Sequence, residues 1–131
     1  MDTLGAPDMA ASQRLGEATY AVLWAVADAL VTSRTGLVLE SNFHRTLAGP
    51  KLRALAARGD ATFVHCAAPL PMIKARYAMR VRHPGHKDAE RLASWDGDVT
   101  IFEPPAGLRA IEVDTTGPVD IGALVRRIRD R

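Results

Sequence analysis

The sequence predicts one α/β domain built on a small parallel sheet. Short apolar runs alternate along the chain with segments of helical periodicity, which is typical of βαβ units. Its 131 residues are enough for a single domain, 1–131, with a core of ordinary size. Three apolar runs bounded by polar residues or glycine are predicted as strands: Gly36–Ser41, Ala61–Ala67 and Leu108–Val113.

Four segments carry helical spacing between these strands. Ser12 is expected to cap the first helix, and Pro50 suits the first position of the second because its missing N–H costs nothing there. The predicted helices cover Ser12–Ser33, Pro50–Arg58, Pro69–Val81 and Asp120–Arg131.

Composition restricts the partners and the compartment. The chain is 47% hydrophobic and 24% charged with a net charge of +2, which argues against nucleic acid as a partner. The single cysteine, Cys66, excludes an internal disulfide and fits a reducing compartment. No signal peptide is evident, and the apolar stretch Tyr20–Val31 is too short to span a bilayer. We therefore expect a cytoplasmic protein without a membrane partner.

A dense polar cluster follows the first predicted strand. Ligands of open parallel sheets bind outside the carboxyl ends of the strands, so this cluster would lie at a ligand crevice. The alternative for the carboxylate is that it caps the next turn. The cluster consists of Glu40, Ser41, Asn42, His44 and Arg45.

Basic residues crowd the end of the third predicted helix. Arg76 and Arg80 are four residues apart and would share one helix side, with Arg82 near the helix end. The polar segment that follows, His83–Asp98, has few apolar residues and is expected to be mobile. A solvated helix face is the alternative for the arginines. His83 and His86 enclose a Pro-Gly turn rather than a helical ligand face, so no metal site is expected.

Three motifs in this order resemble a known group. They are the strand followed by Glu-Ser-Asn-Phe, the helix carrying R-x-x-x-R-x-R-H-P-G-H, and a final strand ending in V-D-T-T-G-P. Together they resemble the small bacterial P-loop kinase-like proteins, also called AAA-family ATPases, which share the fold of adenylate kinase and zeta toxin. The resemblance implies a three-layer parallel sheet of the P-loop NTPase type, shortened at the N-terminus so that about three strands remain.

The resemblance also implies a lid-like segment over about 76–98, a function and roles for residues. It implies ATP and Mg²⁺ as cofactors and phosphoryl transfer to a hydroxyl of a small-molecule substrate. Glu40 would assist the metal or the substrate, while Arg76 and Arg80 would stabilise the transition state. Thr115 and Pro118 would line the adenine pocket, although a capped helix-entry turn explains that loop equally well. The remaining substrate contacts would be Asn42, His44, Arg45, Arg82 and His86.

One departure from the family bears on activity. No G-x-x-x-x-G-K-[ST] phosphate loop occurs in the sequence, which resembles the later part of the family's chains. We therefore expect little or no kinase activity from residues 1–131 alone. The alternative is a non-catalytic remnant or an interaction module. The family's first strand would lie between Gly36–Ser41 and Ala61–Ala67, so its loss predicts a partner strand or self-association through the open sheet.

Overall fold

The computed structural model describes residues 8–81 and 88–130. Five helices and two strands follow one another, with a short 3-10 turn at Thr100–Phe102. The helices are α1 (Met9–Thr32), α2 (Arg45–Ala56), α3 (Leu70–Ala78), α4 (Asp88–Ser94) and α5 (Ile121–Arg129), and the strands are β1 (Phe63–Ala67) and β2 (Ala110–Asp114). The chain is thus of mixed α and β structure, as predicted.

The sheet consists of β1 and β2 in parallel, within the part of the chain that the structure describes. Phe63 pairs with Ala110 and Ala67 with Asp114, so both strands end at the same edge. Ile111 and Val113 are buried on one face, while the alternate residues of β2 are exposed. Two of the three predicted strands are therefore present, each displaced from its predicted start by two residues.

The first predicted strand, Gly36–Ser41, does not form a strand. Residues 35–40 have no regular structure, and Val38 is 94% exposed. Leu37, Leu39 and Ser41 are half-buried, whereas the residues between them are exposed. This alternation is what an extended segment with one apolar side shows. The segment has the side-chain pattern of a strand but lacks a hydrogen-bonded neighbour, and pairing is a property that a local pattern does not encode.

The first helix starts earlier than the sequence predicted. Asp8 rather than Ser12 caps it, because the Asp8 carboxylate accepts a hydrogen bond from the Ala11 N–H at 2.7 Å. Its C-terminal turn is closed by Arg34, whose φ of 57° lies in the left-handed region that glycine usually occupies. Arg58, which follows α2, donates hydrogen bonds to Asp28 and Thr32 and so joins the end of α2 to the end of α1.

Two other helices differ from the prediction for identifiable reasons. The second helix begins at Arg45, since His44 caps it, so Pro50 lies inside the helix and removes one backbone bond there. The third helix ends at Ala78 rather than near Val81, and residues 88–94 of the predicted lid form α4. Lys74 of α3 lies 5.9 Å above the Trp95 ring, next to the end of α4. The described part of the lid-like segment is therefore largely helical.

An aromatic cluster lies between α1 and the start of α2. Phe43 is buried, with its ring centroid 5.7 Å from that of Trp24 and 6.5 Å from that of Tyr20. The Tyr20 hydroxyl is also hydrogen-bonded to Ser41 at 2.6 Å. These contacts fix residues 41–43 against α1 and so position the polar cluster around them.

The chain leaves an unusually large surface in contact with solvent. Its accessible surface is 9470 Å², whereas a folded monomer of this mass exposes about 6,700 Å². The buried apolar side chains in the described residues are few: Ala27, Phe43, Ala48, Pro105, Ile111 and Val113. The two-stranded sheet therefore supports only a small core.

Helix α1 is, of the described helices, the one long and apolar enough to cross a membrane. A core helix of a soluble protein and a signal sequence near the N-terminus pass the same test. Arg14, Glu17 and Asp28 interrupt it, and Tyr20 and Trp24 pack against Phe43. The expectation that no membrane is a partner stays a prediction.

The positions of Phe43 and Val38 predict a large and a small effect on stability, respectively. Phe43→Leu should lower the free energy of unfolding by about 1–3 kcal/mol because it disrupts the aromatic cluster. Val38→Asp should change it by less than about 0.5 kcal/mol because that side chain is exposed. Urea denaturation followed by circular dichroism measures both. A large loss in Val38→Asp would instead show that Gly36–Ser41 is a buried strand.

Candidate functional site

The carboxyl ends of β1 and β2 carry a cluster of hydrogen bonds centred on Thr115. Its N–H and hydroxyl both donate to the Ala67 carbonyl at 2.9 Å. Arg76 of α3 donates to the Thr115 hydroxyl at 3.2 Å and also to its carbonyl. The structure thus brings together two residues that the sequence placed in different roles, the catalytic Arg76 and the adenine-lining Thr115.

The second predicted catalytic arginine lies beyond the helix. Because α3 ends at Ala78, Arg80 does not share a helix side with Arg76. Its guanidinium stacks instead on the Tyr77 ring, 4.9 Å from the centroid. Arg82 and His86, the other basic residues assigned to this region, lie outside the described residues.

The polar cluster after Gly36–Ser41 has mainly structural contacts. Glu40 is exposed and Asn42 is exposed, with its side-chain carbonyl accepting a hydrogen bond from the Ser41 hydroxyl at 3.4 Å. His44 caps α2, since its Nδ1 accepts from the Thr46 N–H at 3.3 Å. Arg45 forms an ion pair with Glu103 at 3.0 Å. Only the carboxylate of Glu40 projects from this stretch without a hydrogen bond or ion pair that the structure describes.

Asp98 is the centre of a second polar group that the sequence analysis missed. Its carboxylate accepts hydrogen bonds from the N–H and hydroxyl of Thr100 at 2.8 and 2.7 Å. These bonds, helped by the positive charge of Arg45 and by His44, lower the pKa of Asp98 below its usual 3.8. The Asp-x-Thr spacing indicates such a turn in the sequence. The proximity of the Asp98 carboxylate to Arg45 and His44 follows only from the fold.

A similar turn follows β2. The Asp114 carboxylate accepts a hydrogen bond from the Thr116 N–H at 2.8 Å, and the bonds to Thr116 lower the pKa of Asp114 below 3.8. Asp114 therefore stays ionised at neutral pH beside the strand ends. The alternative weighed for this loop, a capped turn leading into a helix, agrees with the structure, where Asp120 caps α5 by accepting from the Ala123 N–H at 2.9 Å.

An open cleft of about 240 Å³ lies between β2 and the start of α5. Pro118 lines it, together with Val119, Leu124 and Arg127, whereas Thr115 does not. Of the two predicted adenine contacts, one therefore borders a cleft and the other belongs to the Arg76 cluster. Glu112, Asp114 and Asp120 give this cleft a predominantly acidic lining, which is poorly suited to the phosphates of a nucleotide.

The comparison with solved structures identifies a relative. The chain is similar to a putative kinase of known crystal structure from Chloroflexus aurantiacus j-10-fl, with 30% sequence identity and a TM-score of 0.68. The match covers 98% of this chain and 75% of the other. The chain therefore belongs to the family of this Chloroflexus protein and has a kinase-like fold. The sequence matches no protein-family model, and no curated protein is significantly similar to it.

The Asp98 turn predicts a specific dependence on pH. A lowered pKa in the folded state means that the Asp98 carboxylate contributes stability above its unfolded pKa near 3.8, and that this contribution is lost as the pH falls through the folded value. Thr100→Val should move the Asp98 titration upwards, because it removes the hydroxyl donor. Carboxyl NMR titration measures this, and Asp114 serves as an internal control that should not move. A wild-type Asp98 midpoint at or above 3.8 would contradict the arrangement.

Proposed function

We propose that this chain is a kinase-like phosphotransferase domain that uses Mg·ATP to phosphorylate a hydroxyl of a small molecule. The observation that carries the proposal is the similarity of nearly the whole chain to a kinase. The Arg76–Thr115 cluster supports it, because it lies at the carboxyl ends of parallel strands, where α/β proteins bind ligands.

Arg76 can serve both the structure and a ligand. A guanidinium has five N–H donors, and its planar fork matches the geometry of phosphate oxygens. Nη1 and Nη2 of Arg76 each donate to Thr115. Each of these nitrogen atoms has a second N–H group, so donors remain for an anion. In our proposal these neutralise the charge that develops on the transferred phosphoryl group.

Arg80 and Glu40 complete the proposed roles. Stacking on Tyr77 restrains the Arg80 guanidinium but leaves the N–H groups in its plane available to an anion. Glu40 is an exposed carboxylate, and carboxylates hold Mg²⁺ directly or through water. Asn42 would contact the substrate, whereas His44 and Arg45 would do so only if they gave up the helix cap and the ion pair with Glu103.

The absence of a G-x-x-x-x-G-K-[ST] motif from the sequence sets the level of activity that we expect. Phosphoryl transfer depends almost entirely on positioning the phosphates and stabilising their charge, and that loop supplies most of the phosphate contacts in P-loop enzymes. Residues 1–131 alone should therefore bind Mg·ATP poorly and transfer phosphate slowly or not at all.

Titration calorimetry tests this directly. Mg·ATP is titrated into the 131-residue chain and into a form extended upstream through any in-frame Gly-rich loop that the gene encodes. We expect micromolar binding only in the extended form. Binding at micromolar strength by the short chain would overturn our account of the missing phosphate loop, and no binding by either form would overturn the kinase assignment.

Substitution of Arg76 in the extended form tests its proposed catalytic role. Arg76→Ala should lower kcat about 100-fold or more if Arg76 stabilises the transition state. Arg14→Ala is the matched control, since Arg14 is an exposed arginine on α1, and it should leave kcat unchanged. An equal effect of both substitutions would remove Arg76 from the catalytic machinery. Circular dichroism of each variant shows whether the Thr115 contacts are needed for folding.

A further inference from the structure

The outer edge of β1 has unpaired backbone groups. In a parallel pair, alternate residues of a strand direct their N–H and C=O groups toward one neighbour. The Phe63 N–H donates to the Arg109 carbonyl and the Ala67 carbonyl accepts from the Thr115 N–H, so Phe63, His65 and Ala67 face β2. Val64 and Cys66 must then direct their backbone groups toward the opposite edge. No strand pairs with that edge within residues 8–81 and 88–130.

The side chains of β1 do nothing to block pairing. Proteins protect exposed strand edges with charged residues or proline, and Phe63–Ala67 has none. The other edge of the sheet, formed by β2, differs. Glu112 and Asp114 place charges on β2, and the Arg127 guanidinium donates to the Glu112 carbonyl at 3.4 Å. The two edges of this sheet are therefore unequal, and the β1 edge is the one open to another strand.

The sheet face next to this edge carries apolar side chains. Val64 is half-buried and Cys66 is exposed, and both share a sheet face with the buried Ile111 and Val113. A strand added at this edge would extend the apolar face of the sheet, which a two-stranded sheet needs for stability.

We propose that two copies of the chain pair through their β1 edges, antiparallel to each other, with a twofold axis at His65. This arrangement forms a four-stranded sheet in the order β2-β1-β1-β2. The axis at His65 gives the greatest overlap, since Phe63 then lies opposite Ala67 of the second copy. A head-to-tail arrangement would place β1 against the charged β2 edge and would generate an open chain of molecules instead of a closed dimer. The proposal rests on the sheet edge and does not depend on kinase activity.

Sedimentation equilibrium over a range of concentrations tests the dimer. We expect wild-type protein to approach twice the chain mass of 14.1 kDa. Cys66→Lys should raise the dimer dissociation constant at least about tenfold, because it adds a charge to the pairing edge. Ala110→Lys is the matched control: Ala110 is an exposed small residue on β2, so its substitution should leave the constant unchanged. An equal effect of both lysines would overturn the proposal.

Disulfide cross-linking tests the register. With the axis at His65, the two copies of that residue form a non-hydrogen-bonded pair whose Cα atoms lie about 4.5 Å apart, which is within disulfide range. His65→Cys in a Cys66→Ser background should therefore cross-link under mild oxidation. Glu112→Cys in the same background is the control, since Glu112 pairs with His65 on the same face but lies on β2, and it should not cross-link.

The two experiments together decide the proposal. If Cys66→Lys does not fold, the cross-linking of His65→Cys still distinguishes the dimer from a monomer. Cross-linking of Glu112→Cys as readily as His65→Cys would overturn it. So would a wild-type monomer at all concentrations, and in that case protection of the Val64 and Cys66 amides from hydrogen exchange would show that something other than a second copy covers the edge.

Discussion

The parallel register between β1 and β2 is the constraint on which the other features depend. It places Thr62 and Arg109 together at one end and Ala67 and Thr115 at the other. An arginine secures each end. Arg109 donates to the carbonyls of Arg127 and Ile128 at the end of α5, while Arg76 donates to Thr115. Because a guanidinium satisfies several acceptors with one rigid group, these two residues join helices to the sheet where few apolar contacts do so.

The small size of the sheet explains the exposed apolar side chains on the helices. Ile121, Val125 and Ile128 recur at spacings of four and three on α5, and all three are exposed. Leu15, Val22 and Val26 form a comparable exposed row on α1. Helices with one apolar side normally bury it against a sheet or another helix. Here two strands offer too little surface, so the same shortage accounts for the exposed helix sides and the open β1 edge.

The sequence predicted those features that depend on neighbouring residues. The strands near Phe63 and Ala110 and the helix after Asp120 were predicted because periodicity and turn residues are local signals, whereas the kinase-like fold was expected from the resemblance of three motifs to a known family. The prediction of a strand at Gly36–Ser41 was wrong because a strand also needs a hydrogen-bonded neighbour, and a local apolar run does not supply one. The start of α2 was wrong because a histidine cap from His44 outweighed the usual preference of Pro50 for the first turn.

The candidate site shows the same division. Arg76 and Glu40 were singled out by residue type and position, and Thr115 by the family resemblance. Arg76 and Thr115 do meet at the strand ends. Asp98 was missed, since its neighbours Arg45 and His44 are more than fifty residues away along the chain. His44 caps α2 and Arg45 forms an ion pair with Glu103. These roles likewise depend on contacts that spacing in the sequence does not reveal.

The kinase proposal and the dimer proposal make different demands on β1. The family's first strand would lie against the β1 edge, so a form that carries that strand would not pair through β1, and the dimer is proposed for residues 1–131. In an antiparallel pair the carboxyl ends of the two β1 strands lie at opposite ends of the four-stranded sheet. Each Arg76–Thr115 cluster would therefore remain at an outer end, away from the twofold axis at His65, and a ligand could reach it in the dimer. Pairing would stiffen β1 and place Phe63 of the second copy opposite Ala67, whereas Thr115 follows β2, one strand further from the axis, and stays uncovered. The second copy would thus stabilise the strand that carries the site.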